Sequence, residues 1–351
     1  MKIRFARAGG RRPLAAAWEI ACRLFGLAGV AWWVCSSLAA GDPAAPTSRP
    51  DKSIQAGDLA AGMKLLELWG DQPEPVRRFY QGAFQSLAAR REATFADLAR
   101  DADASRLAAA ALDRLGGPML GSARPDGASV WVRTLRPESD LTAVVAVTGL
   151  KPEGSYAYVT RIDGTPVKTT GPCVLRTPPA GGESKARIAF GSCFHRWGLG
   201  NPRQAAALCG REPHALLLYG DIAVQDRDNH LGLHRADYLL RDLHPAWQQI
   251  AANMPVYATW DDHDYFNNDK WGVPKRYTEA DRTAVREVFR QAWCNPAYGF
   301  GDGRGGVFFR TRIGPCDVIM LDHRYFREAR REGGGNLLGA EQMRWLETQL
   351  L

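Results

Sequence analysis

The spacing of apolar positions changes along the chain, and each change marks a boundary. Between residues 57 and 115 the apolar positions recur at helical spacing. Leu65, Leu66, Leu68 and Trp69, then Phe84, Leu87 and Ala88, are separated by charged positions, which predicts amphipathic helices. An Ala-rich stretch, Leu107–Leu115, runs into Gly116-Gly117-Pro118, read as a helix breaker. From Met119 the pattern shortens to alternating runs: Ala128–Arg133, Thr142–Thr148, Ser155–Ile162 and Val174–Thr177, with turns such as Asp163-Gly164 between them. These runs predict a small β-sandwich over residues 116–182, short for a domain that usually needs about 100 residues.

Beyond residue 183 strand and helix alternate. Apolar runs at Ala186–Gly191, His214–Tyr219 and Pro255–Trp260 are separated by a helical stretch after Pro202 and a long amphipathic one, Leu231–Ala252. Thr278-Glu279-Ala280-Asp281 is a capping box opening a helix to Trp293. A hairpin, Gly306–Ile313 and Cys316–Leu321, turns about Gly314-Pro315, and a last helix begins near Gly339. The alternation predicts a layered α/β unit over 183–351.

Charge changes the picture only at the N-terminus. Of the net +7, five charges fall in residues 1–40, where Lys2, Arg4, Arg7, Arg11, Arg12 and Arg23 face only Glu19. The rest is nearly neutral and offers no nucleic-acid footprint. The basic stretch, the uncharged run Leu24–Ala40 and the small residues about Ser37-Leu38-Ala39 read as an export signal over 1–40. The run is short of the ~20 residues of a comfortable membrane span. This predicts a periplasmic or extracellular protein with no stable span, followed by a linker and helical segment over 41–115. Seven cysteines show no C-x-x-C spacing, and five lie beyond the signal, so at least one thiol stays outside any disulfide.

The chemistry gathers where strands stop. Gly191-Ser192-Cys193, Gly220-Asp221, Asp261-Asp262-His263-Asp264 and Asp322-His323-Arg324 each follow an apolar run. Open α/β sheets bind ligands beyond the carboxyl ends of their strands. A cysteine or a Gly-Asp after a strand is, by itself, more often a small buried residue or a turn. Three carboxylates around one histidine repel one another unless a cation compensates, so together the four ends predict a metal site. His230, His234 and His244 read as surface or capping residues, and a Cys193–His195 nucleophile pair is disfavoured because neighbouring strand-end residues seldom align for proton transfer.

These motifs, with Asn267-Asn268-Asp269, Met320-Leu321-Asp322 and the upstream Val130-Trp131-Val132-Arg133 and Gly149-Leu150-Lys151-Pro152, resemble those of PhoD-like alkaline phosphatases and phosphodiesterases, over roughly residues 117–351. The resemblance implies a metallophosphatase αββα sandwich behind an immunoglobulin-like domain. It implies two metal ions, calcium plus iron or zinc, held by Cys193, Asp221, Asp262 and Asn268, with Asp269 the alternative to Asn268. His263 would bond the phosphate or protonate the leaving group, Arg324 would clamp phosphate oxygens, and a metal-bound hydroxide would attack a phosphate ester. The family's usual tyrosine three residues after the bridging aspartate is Val224 here. Its remaining aspartate–histidine and histidine ligands would lie beyond Leu351, so the domain is expected to be incomplete. The alternative is an exported protein that binds metal or phosphate without turnover.

Overall fold

The computed structural model describes residues 2–7, 74–100, 114–134, 141–182, 184–194, 199–302, 305–329 and 336–351. The linker, most of the export signal, the helices expected around Leu65–Trp69 and Leu107–Leu115, and His195 lie outside the described residues. Among the described residues no helix is long and apolar enough to cross a membrane.

The chain is a mixed α/β structure built from small sheets. After strand β1 (Lys2–Arg7) come helices α1 (Glu74–Ala89) and α2 (Phe95–Ala99). Phe84 and Leu87 are fully buried, as the helical spacing predicts, and Thr94 and Asp97 close a capping box on α2. Strands β2 (Gly116–Arg124), β3 (Gly127–Arg133) and β4 (Thr142–Val147) form one antiparallel sheet. In a second, β5 (Ser155–Ile162) pairs with β1, with β6 (Thr165–Pro166) and with β7 (Val174–Arg176). Leu120, Val130, Tyr158 and Leu175 share the core between them.

Gly116-Gly117-Pro118 opens β2 at the start of the expected β region, with Arg133 across the ladder and buried Leu115 fixing its register. Residues 2–7, within the stretch read as an export signal, form β1 and pair with β5, a pairing that the basic composition gave no reason to foresee.

The remainder is a three-stranded parallel sheet in the order β10-β9-β8: β8 (Ile188–Gly191), β9 (Ala215–Tyr219) and β10 (Val256–Thr259). Helix α3 (Pro202–Gly210) follows β8. The long stretch after β9 is two helices, α4 (Leu231–Leu243) and α5 (Pro245–Asn253). Pro245 cannot continue the helical hydrogen-bond ladder, so it starts a new helix at its first turn. Helix α7 (Glu279–Ala292) starts at the predicted Thr278/Asp281 capping box, after a one-turn helix α6 (Asp262–Tyr265).

Alternation sorts the two faces of the parallel sheet. Leu216, Leu218, Val256 and Ala258 face Trp247, Ile250 and Phe289 of the helices. Leu217 and Tyr257 face Phe309, Ile313 and Met320 of the hairpin β11 (Phe309–Ile313) and β12 (Cys316–Met320). Helix α8 (Gly339–Leu350) lies on the hairpin, where Arg310 donates to the Gln349 carbonyl at 3.2 Å and Phe308 meets Trp345 with centroids 4.5 Å apart.

Candidate functional site

The sheet delivers its strand ends to one place. Cys193 and Asp221, just past β8 and β9, hold left-handed backbones at φ 55° and 54°, and the Cys193 amide donates to the Gly220 carbonyl at 3.1 Å. Non-glycine residues held there store strain and concentrate at functional sites. Gly220 is required as glycine: a Cβ would stand 2.3 Å from the Asp261 nitrogen. The chain past β10 therefore packs directly on the end of β9.

Carboxylates crowd the resulting edge. Asp221, Asp262 and His263 bring ligand atoms within 4.8 Å of one another. The Cys193 thiol lies 3.6 Å from Asp221 Oδ2, while Asp221 Oδ1 is buried without a hydrogen-bond partner. Burial raises the Asp221 pKa, with Asp261 and Asp262 adding to the rise and His263 opposing it. For the Cys193 thiol the Ser192 hydroxyl favours the thiolate, but burial and the Asp221 and Asp261 charges outweigh it and the pKa rises. All five described cysteines are free, Cys193 among them. A cation would relieve both shifts by compensating the carboxylates and taking the thiolate. The donor set fits a metal.

Second contacts hold these groups in place. Buried Asp264 accepts from the amides of Ile222, Ala223 and Val224 at 3.2–3.3 Å, fixing the turn that carries Asp221. Burial pushes its pKa up to about 7. Val224 has no side-chain exposure and belongs to the main core. Asp322 is a structural hub: it accepts from Trp260 Nε1 at 2.8 Å and from the amides of Val307, Arg324 and Tyr325 at 2.9 Å.

Arg324 reaches the cluster, with Nε donating to Asp261 and one terminal nitrogen to Asp262 at 3.3 Å. Its guanidinium is committed to carboxylates in this structure. Asn268 is exposed, and its side-chain amide donates to Asp269 at 2.9 Å, outside the Asp221–Asp262–His263 group. The Asp269 amide donates to Asp262 Oδ2 at 2.6 Å.

One member of the site went unread in the sequence. Asp226 Oδ1 lies 2.7 Å from His263 Nδ1, and this bond, with the neighbouring carboxylates, pushes the His263 pKa up to about 9. Asp226 follows Asp221 by only five residues, but the pair it makes spans 37, so no local pattern announced it. Of the histidines read as surface or capping residues, His244 does stand at the cap between α4 and α5, though buried, whereas His234 lies buried within α4 with Nε2 2.8 Å from the Asp228 carbonyl. Burial drives its pKa down to about 4. His230 does cap α4, accepting from the Leu233 amide at 3.1 Å.

Residues 220–351 match the family model described as PhoD-like phosphatase. The PhoD-like match begins at Gly220 and so takes in Asp221, Asp226, Asp262, His263, Asn268 and Arg324, with Cys193 upstream of it. A solved structure titled "Structure of PhoD" superposes with a TM-score of 0.56 at 17% identity, covering 67% of this chain and 59% of that chain. At that identity the likeness concerns the fold alone. No curated protein matches the chain.

Proposed function

We propose that this protein hydrolyses phosphate esters with the help of bound metal ions at the β8–β9–β10 strand ends. The observation that carries the proposal is the convergence of Asp221, Asp262 and His263 within 4.8 Å, with the Cys193 thiol alongside and Asp221 Oδ1 buried without a partner. The PhoD-like match supports the reaction class.

On this reading Asp221, Asp262 and Cys193 hold the cations, calcium together with iron or zinc, and Asn268 joins them by turning its amide away from Asp269. Bound cations supply Lewis acidity and lower the pKa of water towards about 7. The protein's own groups do the rest. His263, kept protonated and aimed by Asp226, bonds a phosphate oxygen or gives its proton to the leaving oxygen. Arg324 exchanges Asp262 for phosphate oxygens, which its planar fork fits in pairs. Val224 leaves no phenolate near Asp221, which favours a site built on thiolate and carboxylates.

The same reading makes 183–351 a metallophosphatase domain of αββα type, supported by the helices, parallel sheet, hairpin and α8 stacked in that order. It makes 116–182 an immunoglobulin-like domain, supported by two facing antiparallel sheets, with 1–40 an export signal and 41–115 a linker and helical segment. The test is hydrolysis of an aryl phosphate with calcium, iron or zinc supplied and after chelation. Metal-dependent turnover is expected. A protein that binds metal or phosphate without turnover is the second reading, favoured because Asp221, Asp262, Cys193 and Asn268 are few ligands for two cations. Calorimetric metal uptake with no hydrolysis in any metal would establish it instead.

A further inference from the structure

We infer that the rim beside this site, formed by Lys270, Trp271 and Arg327, selects phosphate esters whose leaving group carries a planar ring. The inference rests on the phosphate-ester reading above and names its substrate class. The loop that carries the rim is fixed at both ends. The Asp269 amide donates to Asp262 at 2.6 Å, and Lys270 N donates to the Asn267 carbonyl at 2.9 Å. Beyond Trp271, Gly272 N donates to the Arg324 carbonyl at 2.8 Å, and the Tyr265 hydroxyl donates to the Gly272 carbonyl at 2.6 Å. Trp271 is thus held between a residue bonded to Asp262 and a residue bonded to Arg324.

Trp271 is only partly buried, although a tryptophan in this setting would ordinarily gain by full burial. The Arg327 guanidinium stands 5.7 Å from the ring centroid, within the range of a cation–π contact. Lys270 is exposed, and among the described residues neither Lys270 nor Arg327 has a carboxylate within ion-pair distance. The two cations attract an anionic ester, and the tryptophan offers its leaving group a surface on which to stack. An alkyl leaving group would use the charge but not the ring.

The test separates this inference from the reading beneath it. Phenylphosphonate and methylphosphonate, which cannot be hydrolysed as esters, are titrated calorimetrically into the full chain with calcium and zinc present. Phenylphosphonate is expected to bind more tightly, and Trp271→Ala to cut that preference about tenfold, the scale of one ring stacked on an aromatic side chain. Trp271→Phe, which keeps a ring, should restore most of it. Equal binding of the two ligands, or a preference untouched by Trp271→Ala, overturns the inference alone. Absence of binding by either overturns the phosphate-ester reading with it.

Discussion

Two clusters of charge in this molecule have opposite surroundings. In the sealed one, Arg133 of β3 and Arg241 of α4 both approach the carboxylate of Asp242, and all three are at most 1% exposed. Arg241 donates to Asp242 Oδ1 at 2.8 and 3.0 Å, and Arg133 lies 3.8 Å from its other oxygen. The guanidinium charge is also met by aromatic faces: Phe95 lies 3.7 Å from the Arg133 guanidinium carbon, and Trp293, Tyr238 and Trp247 lie 4.5–5.2 Å from that of Arg241. In the open one, Asp221, Asp261, Asp262 and Asp226 outnumber His263 and Arg324. The aromatic faces that serve the arginines cannot do the same for a carboxylate surplus, because they are themselves negative. The guanidinium charge is sealed against ring faces, whereas the crowded carboxylates of the open cluster invite a cation from outside.

The same substitution should therefore act in opposite directions at the two places. Asp242→Asn leaves the buried Arg241 guanidinium without its carboxylate partner and is expected to cost about 3–5 kcal/mol, read from urea unfolding. A negligible cost would mean the rings alone neutralise the cage. Asp221→Asn should abolish metal-dependent hydrolysis while leaving the chelated protein as stable or more so. Its folded pKa is raised, so at neutral pH the ionised form works against folding, and the amide removes that burden. Clear destabilisation of the chelated protein would show that Asp221 is a structural residue like Asp242.

Asp226→Asn probes the histidine between these extremes. With its partner neutral, His263 loses its orientation and much of its raised pKa, and turnover should fall on the order of 10²-fold. Unchanged turnover would remove His263 from proton transfer. The smallest effect is on stability against pH in the chelated protein. His263 has a folded pKa of about 9 against 6.5 ordinarily, so its contribution is fully present below pH 6.5. It should fade as pH rises through about 9, and Asp226→Asn should flatten that slope. An equally steep slope in the variant would assign the titration to another group.

The sequence alone determined which elements form and where the chemistry-bearing residues stand along them. Period-2 and helical spacing are local properties, so β3, β5, β9, α7 and the β11–β12 hairpin were legible, as was the capping box at Thr278. The strand-end motifs were legible for the same reason: a Gly-Asp or Asp-Asp-His-Asp stops an apolar run wherever it occurs. What only the tertiary structure decided were pairings between distant segments. β2 exists because β3 supplies its partners, and Asp226 meets His263 because two different strand ends converge. Arg324 turns to Asp261 and Asp262 instead of solvent because the hairpin brings it across from Met320. His234 is buried because the α4 face that carries it is covered by other parts of the chain. Burial, hydrogen-bond partners and pKa shifts belong to contacts across the fold, and no spacing along the chain encodes them one residue at a time.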